Sequence, residues 1–311
     1  MLENLKETKD RWKLFNSEEL KTVAHAEALL LKRAREYLNK NGFLEIVVPH
    51  IVSATGSCEI IDTLFKLPYF GNEAYLTQTA QLYLEALVPF LGNVWTFGSS
   101  FRAEQRVDDR HLTEFSLLEL EFESDFNYML WVIEDIFYAM VLDFKPNIER
   151  PFKRIRYEDA INYLGLTFGM DIRASDEEKL LKSNDNKPFF ITHFPKDLKY
   201  FNMRVNDEDE RVVNSADLIL PYGGEAVGSA EREYRPAILM QRLKKSGMWI
   251  QYIARGGDPH AFDWYLNVYS KHMPKLHSGF GMGLNRVTKF ALDLDDIRQT
   301  TIYPVNSATL Y

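Results

Sequence analysis

The sequence predicts an α+β fold in which helices flank an antiparallel β-sheet. Candidate strands follow one another through loops and hairpins, without the regular strand–helix alternation that is typical of a parallel sheet. Amphipathic helical patterns recur along the chain, and no internal repeat is present. With 311 residues, of which 46% are hydrophobic, the chain can bury a large core.

The predicted elements begin with a helix over residues 17–40, which has Ser17 as its N-cap and ends at Asn41-Gly42. Prolines punctuate residues 144–190, which we interpret as an insertion or linker. The remaining patterns predict helices over 81–88, 127–143, 157–164, 176–182, 234–246, 258–271 and 286–294, and strands over 43–48, 64–67, 74–76, 94–99, 117–123, 189–193 and 216–220.

Composition excludes several classes of protein. Cys58 is the only cysteine, so the chain can form neither an intrachain disulfide nor a zinc site with two cysteines. The net charge is −8 and no basic run stands out, which disfavours extensive contact with nucleic acid. No signal peptide and no apolar run of membrane-spanning length is visible. We therefore expect a cytoplasmic protein with no membrane partner.

The segment between two predicted strands carries residues suited to a nucleotide. Arg102 ends the strand over 94–99, and Phe115 precedes the strand over 117–123. A guanidinium at this position can meet an α-phosphate while the ring lies on a purine, and Arg110 and His111 can reach the outer phosphates. The same residues also fit a solvent-exposed hairpin with a charged tip.

Two carboxylates open consecutive predicted strands further along the chain. Asp217 and Glu225 can share Mg²⁺, which takes oxygen ligands from carboxylates and phosphates. Arg232 follows Glu225 by an odd number of residues, so it faces the same side of the sheet only if a bulge intervenes. The alternative is that the two acids cap a turn.

A glycine-rich stretch, residues 279–286, ends at Arg286. It has neither the Gly-Lys-Ser/Thr of a P-loop nor the strand–helix context of a dinucleotide fingerprint. Alternating glycines in a strand permit close approach of a flat ligand, and Arg286 begins a helix, where anions bind favourably. A glycine-bearing core strand is the alternative. Together, the two arginines and the acids point to an ATP site.

These segments resemble the three signature motifs of the class II aminoacyl-tRNA synthetases. Motif 1 is similar to residues 42–49, motif 2 to Phe101-Arg102-Ala103-Glu104 with Arg110-His111-Leu112-Thr113-Glu114-Phe115, and motif 3 to residues 279–286. The aspartyl/asparaginyl branch fits best over roughly residues 20–304. Gln81-Leu82-Tyr83-Leu84-Glu85 resembles the asparaginyl version, because aspartyl enzymes carry lysine where Leu84 stands.

The resemblance implies a role for each matching residue. Arg102 and Arg286 would be the catalytic residues, and Asp217 and Glu225 would bind Mg²⁺. The implied ATP-binding residues are Arg102, Glu104, Arg110, His111, Phe115, Glu225 and Arg286, and the implied amino-acid-binding residues are Glu59, Gln81, Glu85 and Arg232. If aspartate bound with its β-carboxylate toward ATP, Glu85 and Arg232 would face an ammonium group and an α-carboxylate.

The resemblance also implies an activity. Few residues precede the first core helix, so we expect one catalytic domain over residues 1–311, without an N-terminal anticodon-binding barrel, that forms a homodimer through motif 1. This organisation resembles the archaeal asparagine synthetases related to asparaginyl-tRNA synthetase. The first prediction is therefore ATP-dependent adenylation of aspartate or asparagine, with transfer to ammonia or another small amine. The alternatives are a tRNA ligase, which is less favoured, and a non-catalytic module that binds an amino acid or a nucleotide.

Overall fold

The computed structural model describes residues 2–53, 61–272 and 274–311. Within them, the α-helices are α1 (Glu18–Lys40), α2 (Gln81–Leu91), α3 (Phe126–Val141), α4 (Tyr157–Leu164), α5 (Ala174–Ser183), α6 (Pro236–Lys245), α7 (Gly247–Ala254), α8 (Asp263–His272) and α9 (Leu284–Ala291). The strands are β1 (Leu44–Glu45), β2 (Ile51–Val52), β3 (Lys66–Tyr69), β4 (Asn72–Leu76), β5 (Val94–Phe101), β6 (Glu114–Phe122), β7 (Lys153–Arg156), β8 (Phe189–Thr192), β9 (Ser215–Leu220), β10 (Gly224–Glu231) and β11 (Ser278–Gly283).

One large sheet organises the molecule. Among the described residues it has eight strands in the order β1-β5-β6-β11-β10-β9-β8-β7. The pairs from β5 to β8 are antiparallel, whereas the outermost pairs, β1 with β5 and β7 with β8, are parallel. A smaller sheet, in the order β2-β4-β3, lies beside it. The predicted α+β class with an antiparallel sheet is confirmed.

The main core lies between one face of the large sheet and helices α1, α3 and α9. Helix α1 begins as predicted, because the side chain of Ser17 accepts a hydrogen bond from the backbone N–H of Leu20. Its buried residues Leu30, Ala34 and Leu38 recur at helical spacing and pack into this core. These helices therefore cover one side of the sheet and leave the other side to form a cavity.

Several segments differ from their predictions, and the helix predicted over 258–271 begins only at Asp263. The strand predicted over 43–48 is reduced to Leu44–Glu45, which lies at the edge of the large sheet. The helix predicted over 234–246 stops at Lys245, and Ser246 then caps α7, which was not predicted. Within residues 144–190, β7 adds a parallel edge strand to the large sheet.

No described helix combines the length and the apolarity that a membrane span requires.

Candidate active site

Strand β6 contributes side chains to both the main core and the candidate site, one set on each face of the sheet. Leu118 and Leu120 enter the main core, whereas Glu119 and Glu121 point to the opposite face, because successive side chains of a strand alternate. Both carboxylates are buried, with residue exposures of 5% and 1%. Carboxylates at such depth need hydrogen-bonding partners, so this face is built for polar contacts.

A cavity of about 430 Å³ lies over this face. This cavity is lined by most of the site residues that were predicted from the sequence, although these residues come from distant parts of the chain. The nominated residues in its lining are Gln81, Arg102, Glu104, Arg110, His111, Phe115, Asp217, Glu225, Arg232 and Arg286. Glu85 is not among the described residues that line it, and Glu59 lies outside the described residues.

Arg102 and Phe115 lie next to each other in the lining of the cavity. The guanidinium carbon of Arg102 is 5.5 Å from the centre of the Phe115 ring. Backbone hydrogen bonding places Arg102 directly after β5, where its N–H donates to the carbonyl of Thr113. Arg102 is exposed to solvent, so its guanidinium can move onto a ligand at little cost.

One end of the cavity, which we call the outer-phosphate end, holds Arg110, Arg286, Glu177 and Glu225. Arg110 Nη2 lies 2.6 Å from Glu177 Oε2, and Arg286 donates to the carbonyls of Gly223 and Arg110 at 3.2 and 3.4 Å. Burial raises the pKa of Glu177, and Arg110 opposes this shift. The guanidinium groups of Arg110, from the β5–β6 loop, and Arg286, from the first turn of α9, therefore lie close to Gly223 in the β9–β10 turn.

The two acids nominated for Mg²⁺ converge on one glycine. Asp217 lies opposite Gly228 in the β9–β10 ladder, and the register shifts between Glu225 and Val227, as the predicted bulge requires. A side chain at Gly228 would place its Cβ 3.5 Å from Glu225 Oε1 and 3.9 Å from Asp217 Oδ1. The two carboxylates thus face the same space, which fits an oxygen-liganded cation.

Lys199, which the sequence analysis did not nominate, lies beside this pair. Its Nζ is 2.7 Å from Asp217 Oδ2 and 4.1 Å from the centre of the Phe194 ring. An ammonium group at that distance neutralises the carboxylate, so a cation arriving at Asp217 must displace it or share the carboxylate with it.

The opposite end, which we call the amino-acid end, is centred on Arg232. Its Nη2 lies 2.6 Å from Glu121 Oε1, and its Nε lies 3.5 Å from Glu85 Oε1. All three side chains are at most 3% exposed. Burial raises the pKa of Glu121, whereas the charge of Arg232 lowers it. Gly279 makes room for this carboxyl group, since a Cβ there would lie 2.0 Å from it.

Glu85 is enclosed by donors rather than open to the cavity. Its Oε1 accepts from Gln81 Nε2 at 2.8 Å and from Asn202 Nδ2, and its Oε2 accepts from the hydroxyls of Tyr265 and Tyr269 at 2.5 and 2.9 Å. A carboxylate offers about four lone-pair sites, so these donors saturate it. A ligand can bond Glu85 directly only if one of them moves.

Comparison with known proteins assigns the family. The family model described as tRNA synthetases class II (D, K and N) matches residues 3–307. The chain belongs to this family. The chain is 38% identical to the asparagine–tRNA ligase of Pyrococcus abyssi, over 95% of this chain and 70% of the relative. It is 31% identical to the cytoplasmic asparagine–tRNA ligase of Mus musculus, over 95% of this chain and 55% of that one.

Solved structures agree with this assignment. The chain superposes with a TM-score of 0.88 and 34% identity on asparaginyl-tRNA synthetase from Pyrococcus horikoshii complexed with asparaginyl-adenylate, over 97% of this chain and 72% of that one. It also matches the asparaginyl-tRNA synthetase of Entamoeba histolytica, with a TM-score of 0.85 and 31% identity, over 97% and 71% of the two chains. The family resemblance seen in the sequence is confirmed, and these relatives fit the tRNA-ligase alternative better than asparagine synthetase.

The sequence analysis missed several residues of the site. Tyr265 and Tyr269 lie four residues apart on α8, which places them on one helix face, but nothing local indicates that Glu85 is their common partner. Glu177 lies in the segment that we interpreted as an insertion or linker. Glu119 and Glu121 alternate in a strand, and this pattern is the one signal that could have identified them.

Proposed function

We propose that the chain activates asparagine with ATP, forming asparaginyl-adenylate and pyrophosphate, and then transfers the asparaginyl group to tRNA. The observation that carries this proposal is the cavity itself, whose lining brings Arg232 together with Arg102, Phe115 and Arg286. The α-carboxylate of the amino acid would lie against the α-phosphate of ATP beside Arg102, with the adenine on Phe115 and the outer phosphates toward Arg286.

The charges at the amino-acid end favour asparagine over aspartate. Arg232 already pairs with Glu121 and lies 3.5 Å from Glu85, so its positive charge is neutralised. The β-carboxylate of aspartate would add an unpaired negative charge to this buried cluster, which is costly, whereas a carboxamide adds none. Aspartate bound in reverse would place its ammonium group toward Glu85, whose oxygens already accept from Gln81, Asn202, Tyr265 and Tyr269.

In the adenylation step, an oxygen of the substrate α-carboxylate attacks the α-phosphorus of ATP. A carboxyl–phosphate bond forms, the bond to the bridging oxygen breaks, and pyrophosphate leaves with that electron pair. The carboxylate is already ionised, so no general base is needed. Arg102 would stabilise the charge that develops on the α-phosphate, and Phe115 would stack on adenine.

The residues at the outer-phosphate end would position the leaving group. Arg286 and Arg110 would bind the γ-phosphate region, His111 would reach the same oxygens, and Glu104 would face the nucleotide from the loop after β5. Asp217 and Glu225 would hold Mg²⁺, which would neutralise charge on the departing pyrophosphate.

The relatives support tRNA as the acceptor. The adenylate would then react with a hydroxyl of the terminal ribose, which attacks the carbonyl carbon while AMP leaves. The proposal is tested by supplying radiolabelled asparagine or radiolabelled aspartate with ATP and either tRNA or ammonia. We expect acid-precipitable label with tRNA. Label that leaves the enzyme only as a small amide, with aspartate as the substrate, would instead support the asparagine-synthetase function.

Dimerisation through motif 1 remains part of the proposal. Exposed apolar side chains surround the short edge strand β1, and Val47 is 96% exposed, with Leu44 and Ile51 each 49% exposed. A partner covering these side chains would remove them from water. Sedimentation of the chain should give twice its mass, and Val47→Asp should shift it toward the monomer.

A further inference from the structure

Glu177 brings a negative charge from outside the three motifs into the ATP site. It lies on α5, within residues 144–190, and its side chain is only 7% exposed. Helix α5 packs against β9 and β10, the strands that carry Asp217 and Glu225. This contact aims the Glu177 carboxylate into the cavity instead of toward solvent.

The Glu177–Arg110 pair is held close over a glycine. Gly224 has φ +64°, and a Cβ there would lie 2.5 Å from Arg110 Nη2 and 2.8 Å from Glu177 Oε2. A side chain at this position would therefore separate the pair. The space that Gly224 leaves is filled by an ion pair between two elements that are distant in sequence.

The pair balances charge where a polyanion is expected to bind. Arg110 and Arg286 contribute two positive charges, and Glu177 and Glu225 contribute two negative charges, so these four side chains together are neutral. The outer phosphates of ATP carry several negative charges. These phosphates bind Arg110 most strongly when its guanidinium is no longer paired with Glu177.

We propose that Glu177 binds Arg110 as its counter-ion when no nucleotide is bound, and that it competes with the outer phosphates of ATP for that guanidinium. This inference rests on the proposed function and extends it to nucleotide binding. The competition weakens the binding of ATP and also of the pyrophosphate product. When pyrophosphate leaves, Arg110 returns to Glu177, which favours release.

Glu177→Gln tests this competition directly, since it removes the charge and keeps the size. Binding of Mg-ATP, Mg-pyrophosphate and AMP is measured by calorimetry on the full chain. We expect the dissociation constants of ATP and pyrophosphate to fall about threefold to tenfold. The dissociation constant of AMP should not change, because AMP has no outer phosphates.

Two further variants control for folding and for non-specific charge effects. Glu178→Gln makes the same change one residue away, at an exposed position of α5, and should change none of the three constants. Glu177→Asp keeps the charge but shortens the side chain by one methylene, and should strengthen ATP binding less than Glu177→Gln does.

The outcomes separate this inference from the proposed function. Weaker ATP binding by Glu177→Gln would show that Glu177 orients Arg110 for the phosphate and would overturn the inference. Equal changes for ATP and AMP would also overturn it, because they indicate a general structural effect. If the unmodified chain bound neither ATP nor AMP, the proposed function would fail as well.

Discussion

The two ends of the cavity hold their charges in different ways. At the amino-acid end, the side chains of Arg232, Glu121 and Glu85 are at most 3% exposed. At the outer-phosphate end, the side chain of Arg110 is 21% exposed and has Glu177 as its ion-pair partner. The ion pairs at the buried amino-acid end are therefore already formed before a ligand binds. At the outer-phosphate end, Arg110 must leave Glu177 to pair with a phosphate. We infer that selection of the amino acid depends on the first end, and binding and release of the outer phosphates on the second.

The largest effect is expected for Arg102→Gln, which changes the part of the cavity lining beside Phe115. It should lower the rate of ATP–pyrophosphate exchange about 100- to 1,000-fold, because the guanidinium would stabilise charge that develops in the transition state. Arg102 is exposed, so the free energy of unfolding should change by less than about 0.5 kcal/mol. Arg106→Gln, in the same loop and also exposed, is the matched control. Equal exchange rates for the two variants would remove Arg102 from the mechanism.

Arg232→Met, at the amino-acid end, should cause a large loss of stability, in contrast to Arg102→Gln, which should mainly lower the exchange rate. It leaves the buried Glu121 without its bidentate partner, and we expect the free energy of unfolding to fall by about 3–5 kcal/mol in urea titrations. Arg211→Met removes a surface ion pair with Asp209 and should cost less than about 1 kcal/mol. Similar losses of stability for the two variants would mean that the buried ion pair of Arg232 and Glu121 stabilises the fold no more than a surface ion pair does.

Gly279→Ala probes the same end without removing a charge. The added methyl group would meet the Glu121 carboxyl group, which Arg232 holds in place, so we expect a cost of about 1–3 kcal/mol and a higher KM for asparagine. Gly281→Ala is the control, because the nearest atom to its Cβ is Glu119 Cγ at 3.7 Å. If Gly281→Ala raised the KM as much as Gly279→Ala, contact with Glu121 would not be the cause.

The smallest expected effect is a pH dependence from Lys289, beside the outer-phosphate end. Burial lowers its pKa from 10.5 to about 8, so between these values the folded state binds fewer protons than the unfolded state. The contribution of Lys289 to stability therefore increases as pH rises from 8 to 10.5. Lys289→Met should flatten this part of the stability profile, measured by urea unfolding. An unchanged slope would show that the pKa of Lys289 is not lowered.

The sequence predicted most of the residues that line the cavity, but it did not predict which of their charged side chains form ion pairs. Arg102, Phe115 and Arg286 belong to recognisable segments, and their strands and helix bring them together. The contact between Arg110 and Glu177 depends on how α5 packs against β9 and β10, which no local period encodes. The burial of Glu85 likewise depends on Tyr265 and Tyr269, whose aromatic rings look like ordinary core residues in the sequence.

Substrate-dependent ATP–pyrophosphate exchange tests the central claim most directly. Exchange is measured for the unmodified chain with asparagine and with aspartate at equal concentrations. A neutralised Arg232 predicts exchange with asparagine and at least about tenfold less with aspartate, since an unpaired buried carboxylate costs more than about 1.4 kcal/mol. Faster exchange with aspartate would contradict the claim that the buried end selects a neutral side chain.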